Sequence, residues 1–261
     1  MGVLDEIVAH KRSELAALKP RRPLPDLIAA CRGLAPARDF EAALRPAPGE
    51  RVRLIAEVKR GSPSQGLFRA DLDPVAQAGI YAGAGAAAVS VLTDARYFHG
   101  SLDDLVRVRG AVAVPVLRKD FIVDEYQLWE ARAAEADAVL LIVAALDDAA
   151  LRDLLHAAKG AGLATLVEVH TLNELDRALR LGAPVIGVNN RDLQTLTTSL
   201  DPSLHLLPQI PPGPLTVSES GLASGADVAA VVAAGAHAVL VGETLLRAGD
   251  VAAKVRELSL R

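Results

Sequence analysis

The hydrophobic and polar positions from residue 51 onward follow a repeated order of a short apolar run and a longer helical pattern. Several runs are continuously apolar, which is typical of strands that are covered on both faces. Eight segments indicate strands: 51–59, 85–93, 113–120, 136–143, 163–170, 183–190, 213–220 and 236–243. This alternation predicts a parallel sheet whose strands are linked by helices.

Helix start signals follow several of the predicted strands, and small residues end the helical patterns. A glycine before the next strand, as in "YAGAGAAAV", suits a left-handed helix C-cap. Pairs with the spacing of a capping box are Ser101 with Asp104, Thr171 with Glu174, Ser224 with Asp227 and, similarly, Asp124 with Gln127. Helices therefore begin shortly after strands.

Eight such units match an α/β fold of the (β/α)8 type, the TIM barrel, in both number and size. A doubly wound open sheet is the main alternative, but its Gly-x-Gly-x-x-Gly fingerprint after the first strand is absent. Residues 1–50 carry two helical patches, at about 3–18 and 24–32, and are too short to hold a core of their own. We therefore predict one barrel domain over 1–261, with 1–50 as a helical extension packed on it.

Composition and charge narrow the class of function. The chain is 51% hydrophobic and 23% charged, and its net charge of -4 gives no basic field for nucleic acid. No apolar run approaches the roughly 20 residues of a membrane span, and the first residues do not resemble a signal peptide. The single cysteine, Cys31, suits a reducing compartment. We expect a cytoplasmic enzyme that acts as a monomer, with a homodimer as the alternative.

Polar residues stand at the carboxyl ends of the predicted strands, where a barrel holds its active site. Glu57 and Lys59 lie two apart in an apolar run, so they share one face of the first strand. The later strands end in Lys119, Glu168, Asn189 and the segment Ser218, Glu219, Ser220. Because distant strands end alike, we expect these groups to meet in one cavity.

Each of these residues also has a purely structural interpretation. Glu57 and Lys59 can form an ion pair, and Lys119 can be a solvated loop lysine. Glu168 can bridge to a neighbouring loop, and Asn189 with Asn190 can be turn residues.

Two glycine-containing loops suggest a phosphate site. "SESGLASGAD" at 218–227 and "VGETLLRAGD" at 241–250 follow the last two strands and lead into helices. Backbone N–H groups and helix N-termini bind anions, and barrels often hold phosphate at these loops. Gly221 and Gly242 allow a close approach, with Glu243 next in the chain; two ordinary turns are the alternative.

Two further loops can contact a ligand. The segment "KRGSPSQG" at 59–66, with Ser62 and Ser64 around Pro63, is long enough to fold over it. Tyr97, Phe98 and Phe121 follow the second and third strands. They can stack on a planar substrate or pack these loops on the barrel.

No metal site or cofactor is predicted. The six histidines form no HxH or HExxH pair, and "DLDP" at 71–74 indicates a helix cap. His170 directly precedes the Thr171 cap and is interpreted as a loop residue. No Ser-His-Asp or Cys-His set can be assembled from the sequence.

Several segments together resemble the indole-3-glycerol phosphate synthase family of tryptophan biosynthesis, along nearly the whole chain. They are "IAEVKRGSPSQG", "VSVLTDARYFHGSLDDL", "VPVLRKDFIVDEYQ", "LVEVHTLNEL", "IGVNNRDLQTL" and "SESGL". The resemblance implies a carboxy-lyase that closes a pyrrole ring in 1-(2-carboxyphenylamino)-1-deoxyribulose 5-phosphate, a phosphosugar-anthranilate substrate, losing carbon dioxide and water. It implies no cofactor or metal, and a helical amino-terminal extension.

The resemblance also implies catalytic roles. Lys119 is the general acid for ring closure, and Lys59 holds the anthranilate carboxylate. Glu168 is the acid–base group for dehydration, and Glu57 positions the lysine. We expect burial and nearby cations to lower the pKa of the acidic lysine, so that it donates a proton near neutral pH.

The remaining implied roles concern binding. Asn189 and Ser220 are counted among the catalytic residues and bind substrate hydroxyls. Substrate contacts are assigned to Ser62, Phe98, Phe121, Arg191 and Glu219, and phosphate contacts to Ser62, Gly221, Gly242 and Glu243. Some family members carry serine in place of Glu243, and a carboxylate beside a phosphate has to point away from it.

Three alternatives remain at the level of sequence. A phosphoribosylanthranilate isomerase requires an aspartate–cysteine pair at strand ends, and Cys31 lies outside the predicted barrel. A Schiff-base synthase would form an imine on Lys119 or Lys59. A non-catalytic scaffold would not require the set of acids and lysines that the chain retains.

Overall fold

Eight parallel strands close into a barrel, and a two-stranded hairpin lies beside the first of them. The computed structural model describes residues 2–63, 66–67, 69–192 and 195–260. The barrel strands are β1 Arg53–Val58, β4 Ala88–Leu92, β5 Val116–Lys119, β6 Ala138–Ile142, β7 Ala164–Val169, β8 Val185–Asn189, β9 Leu215–Glu219 and β10 Ala238–Val241. The hairpin is β2 Gly61–Ser62 with β3 Gly66–Leu67. β1 pairs with both β4 and β10, which closes the sheet and confirms the predicted (β/α)8 barrel.

Every predicted strand overlaps one barrel strand, but the observed strands are two to four residues shorter. The apolar pattern continues into the turns that precede the strands. Gly85, for example, has a φ of 100°, a left-handed conformation that ends the preceding helix. These glycine turns confirm the predicted C-caps, and they explain why hydrophobicity alone overestimates strand length.

The amino-terminal extension contains three helices, α1 Val3–Leu18, α2 Leu24–Ala30 and α3 Phe40–Leu44. The first two were predicted; α3 has only five residues and too little periodicity to be recognised. Phe40 and Leu44 are fully buried in the same cluster as the inward-facing side chains of the barrel. The Arg53 side chain, at the start of β1, donates to the Ala43 carbonyl, so α3 covers the amino end of the barrel.

Ten more α-helices follow in the described part of the chain, and side-chain caps begin most of them. Ser224 and Asp227 form the predicted capping box, whereas Glu174 accepts a bond from the His170 backbone N–H instead of from Thr171. No described helix has both the length and the apolar character needed to cross a membrane. The helices are α4 Pro74–Gly83, α5 Ala95–Phe98, α6 Leu102–Ala111, α7 Glu125–Ala133, α8 Asp148–Gly160, α9 Leu172–Arg180, α10 Asp201–Leu206, α11 Gly225–Ala233, α12 Glu243–Arg247 and α13 Val251–Leu258.

A buried ion cluster joins α1 to the carboxyl end of the barrel. Lys11 Nζ lies 2.9 Å from Asp94 Oδ2 and 3.1 Å from Asp120 Oδ1. Burial opposes the ammonium charge, but the two aspartates outweigh it and raise the pKa of Lys11. Asp120 also accepts a bond from Arg118 and directly follows Lys119, so α1 supports the strand end that carries the proposed acid.

We expect Lys11→Met to lower the free energy of unfolding by about 3–5 kcal/mol, because it removes the cation beside the buried Asp94 and leaves Asp120 with Arg118 alone. Urea denaturation measures this change. Lys254→Met is the matched control, since Lys254 pairs with Glu257 nearer the surface and such pairs contribute about 1 kcal/mol or less. Equal losses in the two variants would show that the Lys11 cluster contributes no more than a surface pair.

Candidate active site

The strand period of two places polar side chains directly above the apolar core of the barrel. Residues such as Ile55, Leu117, Leu166 and Val217 form the inward-facing cluster. Two positions further along the same faces come acids, a lysine and an amide. These are Glu57 on β1, Lys119 on β5, Glu168 on β7, Asn189 on β8 and Glu219 on β9. The alternation of side chains along each strand therefore determines which polar residues face the cavity.

A cavity of about 620 Å³ opens at this end of the barrel. Its lining includes all six residues predicted to be catalytic: Glu57, Lys59, Lys119, Glu168, Asn189 and Ser220. The lining also includes Phe98, Phe121, Arg191, Glu219, Gly221, Gly242 and Glu243. Ser62 is buried in the hairpin and is not part of the described lining, and Ser64 lies outside the described residues.

Lys119 is the cation at the centre of the cavity. Its Nζ lies 3.2 Å from Glu168 Oε2 and 3.6 Å from Glu219 Oε2. Burial lowers the pKa of Lys119, but Glu168, Glu219 and Glu57 together outweigh burial and raise it. The expectation of a lowered pKa was therefore wrong, because carboxylates rather than cations surround this ammonium. Lys119 carries its proton at neutral pH.

Lys59 and Glu57 form a second pair, with 3.2 Å between Nζ and Oε1. Both residues line the cavity, so they form the predicted ion pair and also belong to the predicted site. A Cβ placed on Gly242 would lie 2.6 Å from Glu57 Oε1. The lack of a side chain at Gly242 therefore leaves room for the Glu57 carboxylate. The sequence had suggested only a phosphate-binding role for Gly242.

Glu168 and Glu219 have opposite protonation tendencies although both are 1% exposed. Burial disfavours the Glu168 carboxylate, but Lys119, His170 and an Asn189 hydrogen bond outweigh this and lower its pKa. Burial and the charges of Glu168 and Glu57 raise the pKa of Glu219 to about 8. Neither Glu219 oxygen has a hydrogen-bond partner among the described residues, so little stabilises its charged form.

The end of β9 differs from expectation. Ser218 was predicted to face the cavity, but it faces α10, where its hydroxyl lies 2.7 Å from Ser203 Oγ. The inward position belongs to Glu219, because it shares parity with Val217. Ser220 follows in a left-handed conformation with a φ of 66° and reaches the cavity after the strand has ended.

The two asparagines at the end of β8 point to opposite sides of the strand. Asn190 donates to Ser218 Oγ and to the Ser220 carbonyl, so its side chain holds the loops behind the site. Asn189 lines the cavity, and its Oδ1 accepts a bond from the Arg191 N–H. Asn189 therefore makes the local contact of a turn residue and also lines the cavity, whereas Asn190 joins loops that are distant in sequence.

The two glycine loops meet beside the cavity. Thr244 Oγ1 donates to the Leu222 carbonyl over 2.7 Å and ties the loops together. Gly221 has a φ of 76°, and a Cβ on it would lie 2.8 Å from the Thr198 methyl carbon, so no larger residue fits without displacement. Its N–H and that of Leu222 donate to no described backbone carbonyl.

The first turn of α11 contributes less to an anion site than predicted. Asp227 accepts bonds from the N–H groups of Ala223 and Ser224, and Glu257 accepts one from Gly225. These donors are therefore already used. The donors that remain at the cavity are those of the 221–222 loop and the start of α12.

Glu243 is held by arginines at the mouth of the cavity. Its Oε1 lies 3.0 Å from Arg247 Nε, and its Oε2 lies 3.6 Å from Arg191. Both arginines line the cavity, so the carboxylate is charge-compensated there.

The three aromatics that were predicted in loops divide between two locations, and Tyr97 and Phe98 lie in the short helix α5. Phe98 and Phe121 line the cavity with ring centroids 6.1 Å apart. Tyr97 instead contacts α1, where its hydroxyl donates to Glu6 and its ring packs on His10. Stacking on a planar ligand is therefore open to the two phenylalanines, while Tyr97 packs its loop against the extension.

Sequence reasoning missed two contributors to the site. Gly187 leaves the space for Glu219, since a Cβ there would lie 2.0 Å from Glu219 Oε1. His170 is in a loop, as predicted, but its imidazole contacts Glu168. Its position two residues after Glu168 was a usable signal. Among the described residues there is no group of three or more His, Cys, Asp and Glu side chains arranged for a metal ion.

Fold and site together define a (β/α)8-barrel enzyme with lysines and carboxylates at the carboxyl ends of its strands. A family model described as indole-3-glycerol phosphate synthase matches residues 4–258. The chain belongs to the indole-3-glycerol phosphate synthase family, as the resemblance indicated.

Relatives support this membership over the full length. An indole-3-glycerol phosphate synthase of Laribacter hongkongensis is 50% identical over 98% of this chain and 98% of its own. One of Roseiflexus castenholzii is 49% identical over 99% of this chain and 98% of its own. A crystal structure of 3-hexulose-6-phosphate synthase has a TM-score of 0.64 at 18% identity, covering 80% of this chain and 99% of that one, which shows the fold alone.

Proposed function

We propose that the chain converts 1-(2-carboxyphenylamino)-1-deoxyribulose 5-phosphate to indole-3-glycerol phosphate, with release of carbon dioxide and water. The observation that carries the proposal is the position of Lys119 between two carboxylates, in one cavity with the Lys59–Glu57 pair. The cavity also holds an aromatic pair and two glycine loops. It therefore offers groups for the three parts of this substrate, an anthranilate ring, a ketose and a phosphate.

Ring closure needs a proton at the ketone oxygen as the anthranilate carbon attacks the carbonyl carbon. Lys119 donates that proton, because its carboxylate neighbours keep it charged until the developing alkoxide takes the proton. Lys59 binds the anthranilate carboxylate, and Glu57 holds Lys59 in place through their 3.2 Å contact. When the carboxylate leaves as carbon dioxide, its bonding electrons restore the aromatic ring.

Dehydration needs a base for a C–H proton and an acid for the departing hydroxyl. Glu168 takes the C–H proton, because Lys119 and His170 favour its ionised form, and then gives a proton to the departing hydroxyl, which leaves as water. Asn189 and Ser220 orient the substrate hydroxyls from the neighbouring strand ends. Glu219 carries a proton at neutral pH and contacts the same hydroxyl region without adding a second full negative charge.

The phosphate binds at the two joined loops. The N–H groups of Gly221 and Leu222 and the start of α12 donate to its oxygens, and Arg191 and Arg247 supply positive charge nearby. Phe98 and Phe121 contact the anthranilate ring. Ser62 is proposed to approach the phosphate from the hairpin, and Glu243 keeps the two arginines oriented.

All proposed groups come from one chain, which supports a monomer as the active unit. A free cysteine fits a reducing compartment, so we propose that the enzyme works in the cytoplasm. The hairpin strands Gly61–Ser62 and Gly66–Leu67 are proposed to cover the bound substrate, while residues 64 and 65 of the predicted covering loop lie outside the described residues.

The direct test is conversion of the ribulose substrate by the purified protein. We expect product fluorescence from the new indole ring to appear in step with one carbon dioxide for each substrate, without any added cofactor or metal. Borohydride added with substrate should leave the protein mass unchanged, because the lysines act as acids and not as imine-forming nucleophiles. A covalent adduct on Lys119 or Lys59 would instead favour a Schiff-base synthase.

A further inference from the structure

The proposed reaction consumes one proton from solution in each turnover, and the following inference rests on that proposed function. The substrate carries a carboxylate and a phosphate, whereas the products are a phosphate ester, neutral carbon dioxide and water. Charge balance therefore requires one proton from outside. Lys119 is the group that ring closure leaves without its proton, and the Glu168 carboxylate beside it is 1% exposed.

His170 connects Glu168 with the surface. It lies two residues beyond Glu168 on the same strand parity, and its Nε2 is 3.4 Å from Glu168 Oε1. Its Nδ1 is 3.2 Å from Glu174 Oε2, in the first turn of α9. The side-chain exposure rises along this row, from 2% for Glu168 to 11% for His170 and 15% for Glu174.

The buried ring nitrogen makes this contact specific. His170 Nε2 has no hydrogen-bond partner among the described residues other than the 3.4 Å approach to Glu168. The His170 backbone N–H also donates to Glu174 Oε2 over 2.7 Å, which fixes the residue against α9. An imidazole held at two points, with an unsatisfied nitrogen aimed at an acid, has the geometry of a proton donor to that acid.

We propose that His170 is a proton relay that returns a proton from solvent to Lys119 through Glu168, whose Oε2 lies 3.2 Å from Lys119 Nζ. In the transfer, the Nε2–H bond of the imidazolium breaks and an O–H bond forms on Glu168 Oε1, while the electron pair stays on Nε2. Glu168 then gives a proton to the neutral amine of Lys119 and is a carboxylate again. The neutral ring keeps its Nδ1–H. An outward swing of the side chain about Cα–Cβ then carries the bare Nε2 to solvent, which protonates it, and the imidazolium returns to Glu168.

The charges around the ring favour its protonated form. Burial opposes the imidazolium, but Glu174, Glu168 and Glu219 outweigh burial and raise the pKa of His170. Glu174 lies on α9, Glu168 on β7 and Glu219 on β9, so carboxylates face the ring from three elements. Lys119 lies on the other side of Glu168 and competes for the same carboxylate.

The test is His170→Gln, measured under steady-state conditions across pH and across imidazole concentration. We expect kcat to fall by about tenfold or more with KM nearly unchanged, because the amide cannot carry a proton. Imidazole added to the buffer should restore kcat in proportion to its concentration. The limb of the profile of kcat against pH that reports ionisation of Glu168 should move to higher pH, since a positive charge beside this carboxylate is lost.

Thr171→Ala is the matched control, because Thr171 caps the same helix without contacting Glu168. It should keep the wild-type pH limb and show no response to imidazole. An unchanged kcat in His170→Gln overturns the relay. So does a loss that imidazole does not restore and that Thr171→Ala reproduces, since that pattern marks a structural role.

Two further measurements keep the result decisive. His170→Asn replaces the Gln variant if the latter does not fold, as judged by circular dichroism and thermal unfolding. An inactive wild-type protein would refute the proposed function itself. An active wild type with an indifferent His170 variant would refute the relay alone.

Discussion

Lys119→Ala should reduce kcat by about 10²–10⁴-fold, the usual contribution of a positioned general acid, and should leave substrate binding largely intact. The reason is the central position of Lys119, whose ammonium is the group shared by Glu168 and Glu219. Without it, nothing on β5 protonates the developing alkoxide. Single-turnover kinetics measure the chemical step, and product titration by fluorescence measures binding.

Lys119→Arg tests whether catalysis requires proton donation by residue 119 or only its positive charge. The guanidinium keeps a cation beside the two carboxylates, but its pKa is too high for it to donate a proton efficiently. We expect this variant to fold and bind like the wild type and still to lose most turnover. Lys159→Ala, at an exposed position of α8, should behave as the wild type. Near-normal kcat in either Lys119 variant would remove Lys119 from the role of acid.

The barrel and the rim of the site were predictable because both follow from local periodicity. Continuous apolar runs define strands buried on both faces, and the polar residues that end them define the mouth. The same parity would have assigned Glu219 rather than Ser218 to the interior, since Leu215 and Val217 are the apolar residues of that face. The prediction for Ser218 was wrong because all three polar residues at the end of β9 were assumed to face the cavity.

The electrostatics were not predictable, because they depend on how many charges converge. No local pattern shows that Glu168, Glu219 and Glu57 all approach Lys119, and their number reverses the expected direction of its pKa shift. The Lys11 contact with Asp94 and Asp120 likewise joins segments more than 80 residues apart. Only the tertiary path of the extension brings α1 to the carboxyl end of the barrel.

Glu168→Gln and Glu219→Gln should have very different effects although the two carboxylates share one lysine. Glutamine resembles a protonated carboxyl group, so it alters Glu168, which is ionised, and imitates Glu219, which is protonated at neutral pH. We expect Glu168→Gln to lose about 10²–10⁴-fold in kcat and Glu219→Gln to lose far less. Comparable losses at pH 7 would mean that both groups work as carboxylates.

The pH dependence of stability tests the same assignment independently of activity. Burial raises the pKa of Glu219 from 4.5 to about 8 on folding. Below about 4.5 the group is protonated in both the folded and the unfolded states, so pH has no effect through it. Between 4.5 and about 8 only the unfolded chain releases the proton, so the free energy of unfolding falls as pH rises.

Glu219→Gln removes this titration, so its stability relative to the wild type should increase steadily through that pH window and level off above it. Urea denaturation of both proteins at a series of pH values measures the difference, and the other ionisable groups largely cancel in the comparison. A Glu168→Gln series is the control and should give no such gain, because the folded state lowers the pKa of Glu168. A flat difference for Glu219→Gln would mean that Glu219 ionises as readily in the barrel as in the unfolded chain, and its assignment as the protonated partner of Lys119 would then be wrong.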